Sequence, residues 1–173
     1  THLSLKVGKM LTKNRLSTKR IKTGIPGLDG ILHGGLIQGT SVLVTGEAGT
    51  GKTILCMQFL YNGAVKYNEP GIFVTLEELP DEIRREAMEF EWDFSELEKE
   101  GKLIIIDAAS AKAGLPSNEK YAVKRSFTIN DLAEQIYKAS TEIDAKRVVI
   151  DSISGLEFKS NDISEIRTSI FKI

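Results

Sequence analysis

Gly46-Glu-Ala-Gly-Thr-Gly-Lys-Thr53 decides how this chain is read. The octapeptide satisfies G-x-x-x-x-G-K-[ST] at every fixed position, a pattern expected by chance about once in tens of thousands of positions. Each residue type has a physical task. Gly46, Gly49 and Gly51 let the backbone bend so that successive N–H groups point inward and form an anion nest, with Glu47, Ala48 and Thr50 completing the loop. The N-terminus of a following helix adds its dipole and its unpaired N–H groups. Lys52 reaches the β- and γ-phosphates as a point charge. The Thr53 hydroxyl is a ligand for Mg²⁺, and the amides of Thr53 and Ile54 face the α-phosphate.

The flanks fit the strand–loop–helix setting that this motif requires. Residues 41–45 form a short β-rich run before it, and residues 53–60 are apolar on nearly all sides, as in a buried helix. Upstream, nine of the 15 glycines fall between positions 24 and 51, so that stretch reads as a series of tight turns, with one short helical turn over 26–32. Downstream the pattern alternates. Residues 71–76 predict a buried strand and 80–90 an amphipathic helix with Ile83, Ala87 and Phe90 on one face. Ser95 and Glu98 predict a capping box for a short helix ending at Gly101. Residues 103–106 predict a strand, 109–127 a long loop, and Thr128 with Asp131 the cap of a helix whose inner face is Ile129, Leu132, Ala133 and Ile136. A strand over 148–150 and a helix over 163–173 close the series. Strands alternating with helices imply a mostly parallel central sheet with helices on both faces, an α/β fold.

A phosphate-binding loop with Mg²⁺ calls for an acid at the end of a neighbouring strand. Arg147-Val-Val-Ile-Asp151 supplies one: three β-branched apolar residues, then Asp151 as the second Mg²⁺ ligand beside Thr53. Ser152 is a further candidate for that shell. Hydrolysis also needs a group that orients or deprotonates water. Phe73-Val-Thr-Leu-Glu77-Glu78 ends a buried strand in two acids, and in a parallel sheet such ends open where ligands bind. Glu77 and Glu78 are therefore candidate catalytic residues with Lys52. The alternative is that they begin the solvated acidic stretch to Glu100, which carries 11 acids.

Composition bounds the rest. The 173 residues are 41% hydrophobic and 27% charged, which fits a folded domain and excludes disordered and collagen-like chains. The lone cysteine, Cys56, cannot form an internal bridge, and no apolar run approaches the roughly 20 residues of a membrane span. The expectation is a cytoplasmic protein without membrane contact. The net charge of −1 divides unevenly: residues 1–22 hold seven Lys/Arg and no acid, which leaves 16 Lys/Arg against 24 Asp/Glu in the remainder. The organisation read from this is a basic arm over 1–20 and a domain over 21–173.

Several motifs together resemble the KaiC-like branch of the RecA superfamily. They are Lys22-Thr-Gly-Ile-Pro-Gly-Leu-Asp29, Gly34-Gly35, the phosphate loop, Phe73–Glu78, Phe90-Glu-Trp-Asp93 and Val148–Ser152. The resemblance implies a RecA-like core, ATP/ADP as the nucleotide with Mg²⁺, and a homo-oligomer (a hexameric ring or filament) with nucleotide at subunit interfaces. It also implies that Glu77 and Glu78 are the water-activating pair. The chain carries Glu89 and Glu91 where the family has a small residue and glycine. A RecA-like core has further strands after the one ending at Asp151, so the fold is expected to be incomplete at the C-terminus.

Two other function classes compete. A recombinase-like protein would bind single-stranded DNA through a mobile basic and aromatic loop. Lys112, Lys120, Tyr121, Lys124, Arg125 and Phe127 would serve, though the acidic body opposes phosphate contact. A nucleotide-gated interaction module with slow turnover is the third reading. Neither His2 nor His33 has the neighbours of a metal site.

Overall fold

The computed structural model describes residues 19–153. The chain divides into two compact units, Thr1–Thr40 and Ser41–Ile173. The predicted helix over 163–173 and most of the basic arm lie outside the described residues.

In the first unit, β1 (Arg20–Ile21) pairs antiparallel with β2 (Leu36–Ile37), and α1 (Leu28–Ile31) lies between them. The helical turn expected at 26–32 is thus present, while the two-residue strands are too short to leave a sequence pattern. Asp29 organises the turn before α1: its carboxylate accepts from the Thr23 N–H at 2.7 Å, the Thr23 hydroxyl at 2.8 Å and the Gly24 N–H at 3.1 Å.

The second unit is built on a parallel sheet of three strands, β3 (Gly71–Thr75), β4 (Leu103–Asp107) and β5 (Arg147–Asp151), in the order β4-β3-β5. The central strand β3 is buried along its whole length, which is why it reads as continuous apolar sequence. Side chains alternate between two cores. Phe73, Leu103, Ile105 and Val149 pack with Met57, Leu60, Ile83, Phe94 and Leu97 on one side. Ile72, Val74 and Ile106 pack with Leu132, Ile136 and Ala139 on the other. Helices α2 (Lys52–Lys66), α3 (Pro80–Met88) and α4 (Phe94–Lys99) cover the first face, and α6 (Ile129–Ile143) covers the second. Among the described residues no helix is long and apolar enough to cross a membrane.

Most expected elements are present with shifted ends. Helix α4 is capped by Asp93, whose carboxylate accepts from the Glu96 N–H at 2.9 Å, so it begins two residues before the box expected at Ser95. Helix α6 has the expected Thr128–Asp131 box. The loop predicted over 109–127 contains a short helix, α5 (Ala109–Ala113), whose first turn is tied to the end of β4 by the buried Asp107, which accepts from the Ser110 N–H at 2.9 Å. The β-rich run over 41–45 is a correction. It has no strand partner among the described residues, and Val42, Leu43 and Val44 are exposed. Strand propensity expresses itself only against a paired neighbour.

One buried cation locks the far end of the sheet. The Arg147 side chain is 0% exposed, bonds Glu69 at 2.6 Å and the Phe59 carbonyl at 2.8 Å, and lies 4.4 Å from the centre of the Phe59 ring. A Cβ at position 63 would come within 2.5 Å of this guanidinium arm, so α2 can cross here only on Gly63.

Candidate functional site

Strand register assembles the site. Thr75 of β3 lies opposite Asp107 of β4 on one side and Asp151 of β5 on the other, so three C-terminal strand ends stand level. The Leu76 N–H donates to the Asp151 carbonyl at 2.8 Å and continues the pairing one residue further. The chain after β3 then turns, held by the buried Thr75 hydroxyl, which donates to the Glu78 carbonyl. That turn places Glu77 and Glu78 at the same edge as Asp151.

The phosphate loop reaches this edge through the first residues of α2. Gly51, at φ 84°, sits in the left-handed region, where a side chain would be strained, and from there the helix starts at Lys52. Among the described residues no side chain caps this helix start, so its first N–H groups remain available to an anion. The Lys52 ammonium donates to the Glu47 carbonyl at 2.9 Å, and the Thr50 hydroxyl donates to the same carbonyl at 2.8 Å. At the second residue of the helix, the Thr53 hydroxyl donates to Asp151 Oδ2 at 2.6 Å, joining residues 98 apart in sequence.

Thr53, Thr75, Glu77, Glu78, Ile83 and Asp151 line one cleft. The structure therefore brings together Thr53, Asp151, Glu77 and Glu78, which strand-end logic placed on one edge. The loop residues Gly46, Glu47, Ala48, Gly49 and Thr50 are exposed.

The electrostatics divide the two glutamates. The Glu78 carboxyl is raised above the ordinary value of 4.5, first by burial, then by the charges of Glu86, Asp151 and Glu82 and by a hydrogen bond with Glu86. Glu77 instead accepts from the Ser152 hydroxyl, Oγ to Oε1, at 2.6 Å. Cys56, one helical turn beyond Thr53, has its thiol pushed up to about 11 by burial and by the Asp151 charge, which suits an inert side chain.

Sequence reasoning missed Thr75 and Glu86. Thr75 was legible only as one polar residue ending an apolar strand. Glu82 and Glu86 are spaced i, i+4 on α3 and so share a face. The aromatic loop proposed for single-stranded DNA is held differently from that reading. Tyr121 is buried and donates to Glu142 at 2.6 Å, Lys120 bonds the same carboxylate, and Phe127 packs on the α6-side core.

A glycine loop opening a helix beside a parallel sheet, with an acid at a neighbouring strand end meeting the loop's threonine, defines a P-loop nucleotide-binding fold. A family model described as ATPase: KaiC matches residues 21–173, and the chain belongs to that family. It is 49% identical over 139 residues to the UPF0273 protein MJ1359 of Methanocaldococcus jannaschii, covering 80% of this chain and 57% of that one. It is 45% identical over 152 residues to the circadian clock oscillator protein KaiC of Parathermosynechococcus lividus, covering 88% of this chain and 27% of KaiC. The crystal structure of the KaiC-like protein PH0186 from Pyrococcus horikoshii superposes with a TM-score of 0.71 at 44% identity, covering 90% of this chain and 65% of that one. The chain thus spans a little over half of MJ1359 and about a quarter of the clock protein.

Proposed function

We propose that this chain binds ATP through residues 46–54 and hydrolyses it with Mg²⁺. The observation that carries the proposal is the 2.6 Å bond between Thr53 and Asp151, in a cleft that also holds Glu77 and Glu78. A hydroxyl and a carboxylate are hard oxygen donors, and Mg²⁺ takes one or two such protein ligands with water and phosphate oxygens. Thr53 and Asp151 would hold the ion, and the chemistry it supplies is neutralisation of phosphate charge.

The chain's own groups do the rest. The inward N–H groups of the loop and the start of α2 bind the phosphates, and Lys52 exchanges the Glu47 carbonyl for a phosphate oxygen. Glu77 and Glu78 accept a proton from water as its oxygen bonds to the γ-phosphorus. The bond from that phosphorus to the bridging oxygen breaks, and ADP leaves. The raised proton affinity of Glu78 lies in the direction that favours a general base.

Steady-state hydrolysis and nucleotide binding test this. Lys52→Ala should lose ATP affinity, by about 1.5–3 kcal/mol for a charge-assisted contact. Glu77→Gln with Glu78→Gln should keep binding and lose turnover. Full turnover in the double variant would overturn the catalytic assignment, and unchanged affinity in Lys52→Ala would overturn the loop assignment.

We further propose a cytoplasmic homo-oligomer, a hexameric ring or filament, in which a domain over 21–173 follows a basic arm over 1–20. Light scattering should show a larger particle with Mg-ATP than without nucleotide, and a constant mass would count against assembly around the nucleotide. Intrinsic binding of nucleic acid is disfavoured by the anchoring of Tyr121, Phe127 and Lys120.

A further inference from the structure

We propose that Ser152 is a positioning residue for Glu77, and this rests on the assignment of Glu77 to water activation. The argument begins with register. Asp151 stands opposite Thr75, and the Leu76 N–H bonds the Asp151 carbonyl at 2.8 Å. One residue further on each chain, the Ser152 hydroxyl donates to Glu77 Oε1 at 2.6 Å. The sheet therefore delivers two adjacent residues of one strand end to two different tasks: Asp151 faces the Thr53 hydroxyl, and Ser152 faces the glutamate.

A glutamate has three side-chain torsions and loses considerable freedom when held in one arrangement. Glu77 is exposed, outside the fully buried strand it follows, so core packing does not enclose it. A hydroxyl donating to one carboxylate oxygen anchors that oxygen and narrows the positions open to the second. Placement of this kind matters because a displacement near 1 Å in a reacting group costs roughly 100-fold in rate. The serine directly follows Asp151, whose carbonyl is held by the Leu76 N–H, so the last backbone bond between the two strand ends lies one residue away from the Ser152–Glu77 bond on each side. Ser152 acts in this scheme through its bond to Glu77.

The test is a double-mutant cycle in the full-length chain, read by single-turnover ATP hydrolysis, with binding of a fluorescent ATP analogue measured separately. Ser152→Ala should lower the hydrolysis rate by roughly 10- to 100-fold, with nucleotide affinity within about twofold of the parent. Ser152→Thr, which keeps a hydroxyl, should recover most of the rate. In a Glu77→Ala background, adding Ser152→Ala should cost nothing more, because the group it positions is gone. An equal loss in both backgrounds would overturn the positioning role. So would an affinity loss in Ser152→Ala that accounts for the slower rate, since it would point to Asp151 instead. Glu77→Ala hydrolysing at the parent rate would overturn the base assignment as well as this proposal, and is distinct from the other two results.

Discussion

Asp29 shows how much one carboxylate can settle. Burial acts to raise its pKa, but the Thr23 N–H and hydroxyl, the Gly24 N–H and the nearby Lys22 charge outweigh that and hold it below the ordinary 3.8. A depressed carboxylate pKa means that the unfolded turn binds more protons than the folded one. Its contribution to stability is therefore complete above pH 3.8 and is lost as pH falls through the depressed value. Asp29→Asn keeps the shape, but the amide has a single acceptor oxygen: it can hold the two Thr23 bonds without the charge, and it turns an NH2 group toward the Gly24 N–H, which loses its acceptor. At neutral pH it should weaken the turn by about 1.5 kcal/mol, the scale of a charge-assisted bond, and the acid-dependent loss should disappear. Amide exchange at Thr23 and Gly24 checks both points: exchange roughly tenfold faster is the expected reading, and unchanged protection would contradict the role given to Asp29.

At the scale of elements, strong local signals were legible and long-range ones were not. The helix α6 was readable because Thr128 and Asp131 cap each other within one turn, and β3 because all five of its residues are buried between two neighbours. The segment between α5 and α6 read as a loop because its anchors lie far away in sequence. Ser117 donates to Asp107 of β4, Glu119 bonds Arg84 of α3 at 2.8 Å, and Tyr121 bonds Glu142 of α6 at 2.6 Å. No periodicity within the segment encodes those partners. Arg84 also bonds Glu98 of α4 at 2.7 Å, so one guanidinium joins two helices and this segment. The site divides in the same way. Spacing and strand-end logic placed the loop, Asp151 and the glutamates on one edge, because a parallel sheet aligns its C-terminal ends. The pairing of Ser152 with Glu77 depends on residue-level register between β5 and β3, which strand identity alone does not specify.

At the scale of the whole molecule, the strand that should carry the phosphate loop is the unresolved energetic problem. Leu43 is 71% exposed between Val42 and Val44, and Val148 on β5 is 40% exposed. Clustered exposed apolar residues mark surfaces that another element covers. An apolar run with strand propensity and no partner is also a template for pairing. The run over 42–44 should therefore be covered in solution, and Leu43→Glu distinguishes a covered run from an exposed one. On an exposed segment the substitution should change stability by no more than about 0.5 kcal/mol. In a covered strand it buries a charge without a partner and should cost about 2 kcal/mol or more. Chemical denaturation of the protein, with and without Leu43→Glu, measures the difference. The larger value is expected, because the phosphate loop needs a fixed strand behind Gly46 to hold its N–H groups in one geometry. A near-zero change would mean that the loop is supported from α2 alone.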